Sequence, residues 1–291
     1  MPGRNDIVIP FDFESLPIRG AIIQLQNSWH RMLLGHNYDR PVLETLGHSA
    51  AASALIAHSL KFDGSITLQI SGDGPLAMLV VQCTSNLELR GMASAAELGD
   101  DVAFADLVQK ARCAITVDSG TMERAYQGIV AVSGRSLADS IEDYYARSAQ
   151  IPSHLQLVCD PSCCGGILLQ QMPGAPGPMA DDWHRVGLLA STLSLSDVER
   201  GVGSALLGRL FAEDDLRVFR PRDAVFRCRC SDRRAENVLR LLGQGETLAV
   251  LAEQGQVDVT CEYCGQTRTF DEIDIRGLFA ARPAPPSDTL H

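Results

Sequence analysis

The rhythm of apolar and polar positions changes several times along the chain, and each change predicts an element. Between Pro41 and Leu60 helix-forming residues place Leu43, Leu46, Ala50 and Ala54 at helical spacing. The next stretch, KFDGSITLQISGDGPLAMLVVQC (61–83), alternates Ile66, Leu68 and Ile70 against polar neighbours, breaks at Gly72-Asp73-Gly74-Pro75 and resumes as a second apolar run, which predicts a β-hairpin. Further strands are expected over Cys113–Asp118 and Ala125–Gly134. Ser136 then stands where it can cap a helix carrying Leu137, Ile141 and Tyr144 on one face. Strand patterns return in HLQLV (154–158) and GILLQQM (166–172). Strands interleaved with a few helices predict an α+β fold, an antiparallel sheet with helices packed on it, over residues 1–179.

The PGAPGP stretch, Pro173–Pro178, reads as a boundary. Beyond it the pattern is helical from Asp181 to Asp215, which defines a linker over 180–222 with a short strand candidate, LRVFRP (216–221). Within it Ser196 and Glu199 fit a capping box, and Val198, Val202, Leu206 and Leu210 form an apolar stripe at i+4 steps. Gly201, Gly203 and Gly208 each cost about 0.8–1 kcal/mol against alanine inside a helix, so this helix is expected to be marginal unless a partner surface holds it. The competing reading is that one of these glycines simply ends a helix. Residues 223–282 form a small third region, with two short helices broken at Gly243 and Gly245, the second ending at Gly255. A strand–knuckle–strand pattern follows over Gln256–Phe270 with Gly265 closing the turn. Residues 283–291 are expected to be disordered.

Charge narrows the classes of partner. The chain of 291 residues has a formal net charge of −11, which argues against a general attraction to nucleic acid. Its first residues lack the unbroken apolar core of a signal peptide and no run approaches membrane-spanning length, so a cytoplasmic protein with no membrane partner is expected. Nine cysteines in a reducing compartment point to metal binding or redox chemistry rather than a disulfide framework.

Four of those cysteines carry the argument. FRCRCSDRR (226–234) holds Cys228 and Cys230 as C-x-C, and VTCEYCGQT (259–267) holds Cys261 and Cys264 as C-x-x-C. A C-x-x-C on a tight turn converges two thiolates on one ion, and an extended C-x-C places both side chains on one side of the chain. Two such pairs, separated by enough chain to return, predict a Cys₄ site for Zn²⁺. The commoner use of such a site is purely structural. Yet tetrahedral Zn–S bonds of ~2.3 Å put neighbouring sulfurs about 3.7 Å apart, so a pair needs to close by under ~2 Å to become a disulfide. A bridge between Cys228 and Cys230 would close a small strained ring, the labile kind. Disulfide sulfurs carry no thiolate, so oxidation would cost the site its metal and a small domain its folding free energy.

At this point the residues resemble a known family. CRCS and CEYCG at this separation, followed by FDEIDI, look like the zinc-binding tail of the 33 kDa chaperonin family of bacterial redox-regulated holdases. IRGAIIQL (18–25), the KFDG…GDGP hairpin and YQGIVAVSGRSLADSIEDYYARSAQIP (126–152) look like its N-terminal domain. The resemblance spans nearly the whole chain. It implies zinc on Cys228, Cys230, Cys261 and Cys264 in an idle reduced state, then Cys228–Cys230 and Cys261–Cys264 bridges on peroxide or hypochlorite stress, particularly with heat. It further implies metal loss, unfolding of the tail and linker, and binding of unfolding client proteins, typically as a homodimer and without ATP. The sequence has no G-x-x-x-x-G-K-[ST] loop. It departs from the family pattern in CDPSCCGG, which adds Cys159, Cys163 and Cys164; with no well-spaced fourth ligand these read as loop or core residues rather than a second metal site or redox pair.

The remaining candidates read as structural. Cys83 and Cys113 are expected to be small buried hydrophobes. His30 and His36 flank RMLLG at no common metal spacing, and GDGP opens no helix, so it is a turn rather than a phosphate loop. The acidic EDYY (142–145) could hold an acid–base pair but reads as the wet face of a helix. Two other functions compete with the holdase: a thiol–disulfide oxidoreductase using Cys261 and Cys264, and a zinc-ribbon nucleic-acid module using the basic cluster Arg227, Arg229, Arg233 and Arg234. A catalytic C-x-x-C usually opens a helix beside a strand, whereas here Gly265 and β-flanks point to a knuckle.

Overall fold

The computed structural model describes residues 5–99, 101–120, 125–132, 135–172 and 180–280. The 173–178 boundary, the end of the 125–134 strand and the 283–291 tail lie outside the described residues. The chain divides into two compact units, Met1–Arg227 and Cys228–His291.

In the first unit the order is β1 (Asp6–Phe13), β2 (Ile18–Leu25), α1 (Asn27–Leu33), α2 (Arg40–Ser59), β3 (Ser65–Gly72), β4 (Leu76–Thr84), β5 (Glu88–Ala95), α3 (Phe104–Leu107), β6 (Ala111–Asp118), β7 (Tyr126–Val130), α4 (Leu137–Tyr144), β8 (Ser153–Cys159) and β9 (Cys164–Gln171). Three helices follow, α5 (Ala180–Ala190), α6 (Leu195–Arg200) and α7 (Ser204–Leu210), and then the short strands β10 (Leu216–Val218), β11 (Arg222–Asp223) and β12 (Val225–Phe226). Among the described residues the strands form two sheets: β10-β1-β2-β9-β8 with β11 also on β1, and β12-β5-β4-β3-β6-β7. All pairings are antiparallel except β12 with β5.

Helix α2 packs against strands of both sheets. Its sequence explains how. The run GHSAAASALIA is mostly small residues, so the helix is buried nearly all round, and Leu43 on the predicted face is only half-buried. A Cβ on Gly47 would lie 2.1 Å from Cys159 Sγ, so only glycine lets β8 approach here. The predicted hairpin is β3–β4, closed by the Gly72–Pro75 turn, with Cys83 and Cys113 fully buried beside it.

The cap at Ser136 is present: the Asp139 N–H donates to Ser136 Oγ at 3.1 Å. The buried stripe of α4 is Leu137, Ile141 and Tyr145 rather than Tyr144, because i+8 continues an i, i+4 row. Tyr144 instead places its hydroxyl 3.3 Å from that of Tyr126.

The linker differs from its sequence reading in two respects. The capping box belongs to Ser194 and Asp197, not Ser196 and Glu199: the Ser194 N–H and hydroxyl both reach the Asp197 carboxylate, at 3.1 and 2.7 Å. And the expected single helix is two. Gly201 ends α6 at φ +107°, a conformation that disfavours any side chain, and Gly203 precedes α7 in extended backbone. The four stripe residues are nonetheless all buried, because the break lets each short helix turn its apolar side inward. Val198, Val202, Leu206, Leu207, Leu210 and Phe211 join Val186 and Ala190 of α5 on Ile7, Ile9, Phe11, Phe13, Ile18 and Ile22 of β1–β2.

The second unit contains α8 (Asp232–Leu242), α9 (Gln244–Gln254), β13 (Val257–Thr260), β14 (Thr267–Phe270) and α10 (Glu272–Ala280). Gly243 at φ +94° separates α8 from α9, while Gly245 lies inside the first turn of α9. Gly255 ends α9 in the left-handed region, as expected of a C-cap. The core is small: Ala235, Leu239, Val257, Phe270, Ile275 and Leu278.

Candidate metal centre

The β13–β14 hairpin builds one half of the site. Its ladder ends at Thr260 opposite Thr267, and the Cys261 N–H then donates to the Gln266 carbonyl at 3.0 Å. The N–H groups of Cys264 and Gly265 both turn back to the Cys261 carbonyl, at 3.2 and 2.8 Å, and Gly265 takes φ +67°. This tight knuckle aims both thiols one way. The other half is the segment before α8, whose N-cap Ser231 stops the helix short of Cys230 and leaves Cys228 and Cys230 outside it.

The four Sγ atoms lie within 4.8 Å of one another. Cys228 to Cys261 and Cys230 to Cys264 are each 3.6 Å apart, close to the edge of about 3.7 Å expected for a ZnS₄ tetrahedron. The donor set, four half-buried thiols, suits a soft-ligand cation such as zinc. Their acidities diverge. Burial and the neighbouring thiols push Cys264 up to about 12, and burial also raises Cys228. For Cys230 burial pulls upward, but hydrogen bonds from Cys228 and Arg268 outweigh it and bring the thiol down to about 7. Arg268 is itself held by Asp232, Nε to Oδ1 2.6 Å. Four thiolates at such separations repel, so full deprotonation needs a cation among them.

The other sequence candidates fall elsewhere. Cys163 and Cys164 are buried and Cys159 is half-buried at the β8–β9 turn. Cys163 lies within 4.8 Å of Asp160 and Glu199. Asp160 Oδ1 already accepts from the Ser162 N–H, the Ser162 hydroxyl and the Cys163 N–H, at 2.8, 2.6 and 3.1 Å, and so holds the turn. His30 is exposed, and His36 stacks on Tyr38 with ring centroids 4.9 Å apart.

Glu142 does find a partner that the sequence left unplaced. It meets His154 Nδ1 at 3.2 Å, and His154 Nε2 meets Ser191 Oγ at 3.0 Å. The order serine–histidine–carboxylate resembles a nucleophilic triad, but the neighbouring amides of Ser191 and Thr192 are bonded to Gly187 and Leu189, so neither offers an oxyanion donor. The basic cluster is divided: Arg227 belongs to the first unit and pairs with Glu88 at 2.9 Å, while Arg229, Arg233 and Arg234 belong to the second. The C-x-x-C occupies a knuckle between strands rather than a helix N-terminus, the placement a thioredoxin-like oxidoreductase would need. No helix among the described residues is long and apolar enough to cross a membrane.

The fold and site define a two-unit α+β protein whose small second unit carries a clustered Cys₄ site suited to a metal ion. Comparison with known proteins gives the family. The Hsp33 protein model matches residues 6–271, and the chain therefore belongs to the Hsp33 family of chaperones. The 33 kDa chaperonin of Methylobacillus flagellatus is 38% identical, the alignment covering 98% of each chain. That of Nitrosococcus oceani is also 38% identical, over 99% of each. The crystal structure of the 33 kDa chaperonin from Thermotoga maritima superposes with a TM-score of 0.78 at 22% identity, covering 94% of this chain and 98% of that one, a likeness of fold.

Proposed function

We propose that this chaperone is an ATP-independent holdase switched by oxidation of Cys228, Cys230, Cys261 and Cys264. The observation that carries the reading is the convergence of the four thiols at tetrahedral spacing on a unit with so small an apolar core. Bound Zn²⁺ would supply the crosslink that such a core lacks, about 10–16 kcal/mol in small zinc modules. On this reading peroxide or hypochlorite removes two electrons from each sequence-neighbour pair, giving Cys228–Cys230 and Cys261–Cys264; with peroxide, each bridge releases two waters. The cross-pairs are just as close in space, so loop length favours the neighbours: closing one or two intervening residues costs less than closing more than thirty. Disulfide sulfurs no longer hold a cation, and the 223–282 module unfolds.

With heat as a second input, the 180–222 linker then comes free of the 1–179 core and exposes apolar surface to unfolding clients. The oxidised form acts as a homodimer in the cytoplasm, with no catalytic reaction of its own. The test measures zinc content and suppression of aggregation of a thermally unfolding protein, before and after peroxide. Suppression by the reduced, zinc-loaded protein equal to that of the oxidised form would overturn the switch.

A further inference from the structure

The β8–β9 hairpin holds a second thiol pair. Cys159 and Cys164 face each other in the register of the two strands. The next pair toward the turn, Asp160 and Cys163, is a hydrogen-bonded one, since the Asp160 N–H donates to the Cys163 carbonyl at 3.0 Å. Pair types alternate along an antiparallel ladder, so Cys159 and Cys164 form a non-hydrogen-bonded pair, the type with Cα atoms about 4.5 Å apart. That separation lies within the range of about 4.4–6.8 Å that a disulfide requires. Both side chains point to the same neighbour: a Cβ on Gly47 would meet Cys159 Sγ at 2.1 Å, Cys159 Cβ at 3.1 Å and Cys164 Cβ at 3.2 Å. Cys163 points to the opposite face, into the core beneath the linker helices, so strand alternation removes it as a competitor.

We infer that Cys159 and Cys164 are a second disulfide-forming site, in the unit that does not contain the four-cysteine cluster. Cys159, half-buried, is the thiol that oxidant reaches; Cys164, fully buried, resolves. The Cys159 thiolate attacks a peroxide oxygen, the O–O bond breaks, and water leaves after proton uptake. Cys164 sulfur then attacks the Cys159 sulfenic acid, the S–S bond forms, and a second water departs with the Cys164 proton. Two thiols and one hydrogen peroxide give one disulfide and two waters. Because Cys164 is shielded and its thiol held well above the usual range by burial, this bridge forms more slowly than those of the four-cysteine cluster. Its place is at the turn end of the hairpin, on the face toward α2; in the adjoining turn Ser162 Oγ donates to Glu199 of α6 at 2.9 Å.

The reduced full-length protein is treated with hydrogen peroxide under conditions where circular dichroism shows the first unit folded, then alkylated and digested with trypsin without reduction. Cleavage after Arg147 and Arg185 yields one peptide, 148–185, carrying Cys159, Cys163 and Cys164. The expected product has lost two hydrogens and is alkylated once, on Cys163. The loss persists in Cys163→Ser and vanishes in both Cys159→Ser and Cys164→Ser. Three alkylated cysteines after peroxide exposure prolonged well beyond full oxidation of the four-cysteine cluster, with the first unit still folded, would overturn the inference. So would a bridge that includes Cys163, or sulfinic acid on Cys159 without a bridge.

Discussion

Phe211→Ala truncates the largest fully buried side chain of the linker. Its ring is fully buried, 5.9 Å from that of Phe11 and 5.0 Å from that of Phe13 in an edge-on contact. Truncating a buried Phe to Ala typically costs about 3–5 kcal/mol through lost transfer energy and the cavity left behind. If that loss falls on docking of the α6–α7 segment, the undocked population rises by about two to three and a half decades, since each ~1.4 kcal/mol is tenfold. The Cys₄ cluster is untouched, so zinc content should stay at the wild-type level. Trypsin reads the undocking directly through cleavage after Arg200 and Arg209, whose rate follows the open population when reclosing is fast. The expected result is a reduced, zinc-loaded variant that is cleaved faster there and suppresses aggregation without any oxidant. Faster cleavage with no gain in suppression would refute the linker as the source of client-binding surface. Unchanged cleavage would refute the packing argument itself.

Cys261→Ser should bind zinc far more weakly and broaden or abolish the thermal transition of residues 228–280, leaving that of the first unit in place; tight retention of zinc would count against the four-ligand site. Gly201→Ala should destabilise the linker by about 1–3 kcal/mol, because alanine strains at a position with φ +107°; a stabilised linker in urea melts would contradict the two-helix arrangement. Acid should weaken the first unit. Burial pushes His48 down to about 4, and burial followed by the charges of Arg222 and Arg19 does the same to His58, so both stay neutral in the fold while the unfolded chain takes up their protons below about 6.5. Their contribution is complete above that value and is lost as pH falls toward 4. The thermal midpoint should drop between pH 7 and pH 5 and drop less in His48→Gln; an unchanged midpoint across that interval would refute it.

What could be read from the sequence follows from how each element earns its burial. The β3–β4 hairpin was legible because each strand presents one clean alternation and the turn carries Gly-Asp-Gly-Pro. Strand β1 is less legible, although Ile7, Ile9, Phe11 and Phe13 alternate, because Pro10 interrupts the run; its position is tolerated where β1 pairs only short strands, β10 and β11, on that side. Strand β5 buries Leu89, Gly91 and Ala93, too little apolar bulk to stand out. The clustering of the four cysteines is legible, since each pair converges through its own short spacing. The placement of His154 between Glu142 and Ser191 is not, because separate parts of the chain bring the three together. Gly201 could be read either as a weak point in a helix or as its end, and only backbone geometry distinguishes them.

The position of the linker changes what release would mean. Val198, Val202, Leu206, Leu207, Leu210 and Phe211 are in the core of the first unit, so undocking would uncover two apolar surfaces at once: the linker's own stripe, and Ile7, Ile9, Phe11 and Phe13 of β1 with Ile18 and Ile22 of β2. Each large side chain so exposed costs about 1.5–3 kcal/mol, and the ordered linker backbone gains entropy of about 1–2 kcal/mol per residue in return. The two terms are comparable in size and the entropic one grows with temperature. The Asp197 carboxylate, held down to about 2 first by Ser194 and then by Arg209, tightens α6 further while it stays charged. Loss of the Cys₄ crosslink alone would therefore leave a linker still seated by its own packing, and heat would be the second input that removes it. A holdase built this way should respond to oxidant and temperature together, with Phe211→Ala lowering the temperature at which the oxidised protein becomes active.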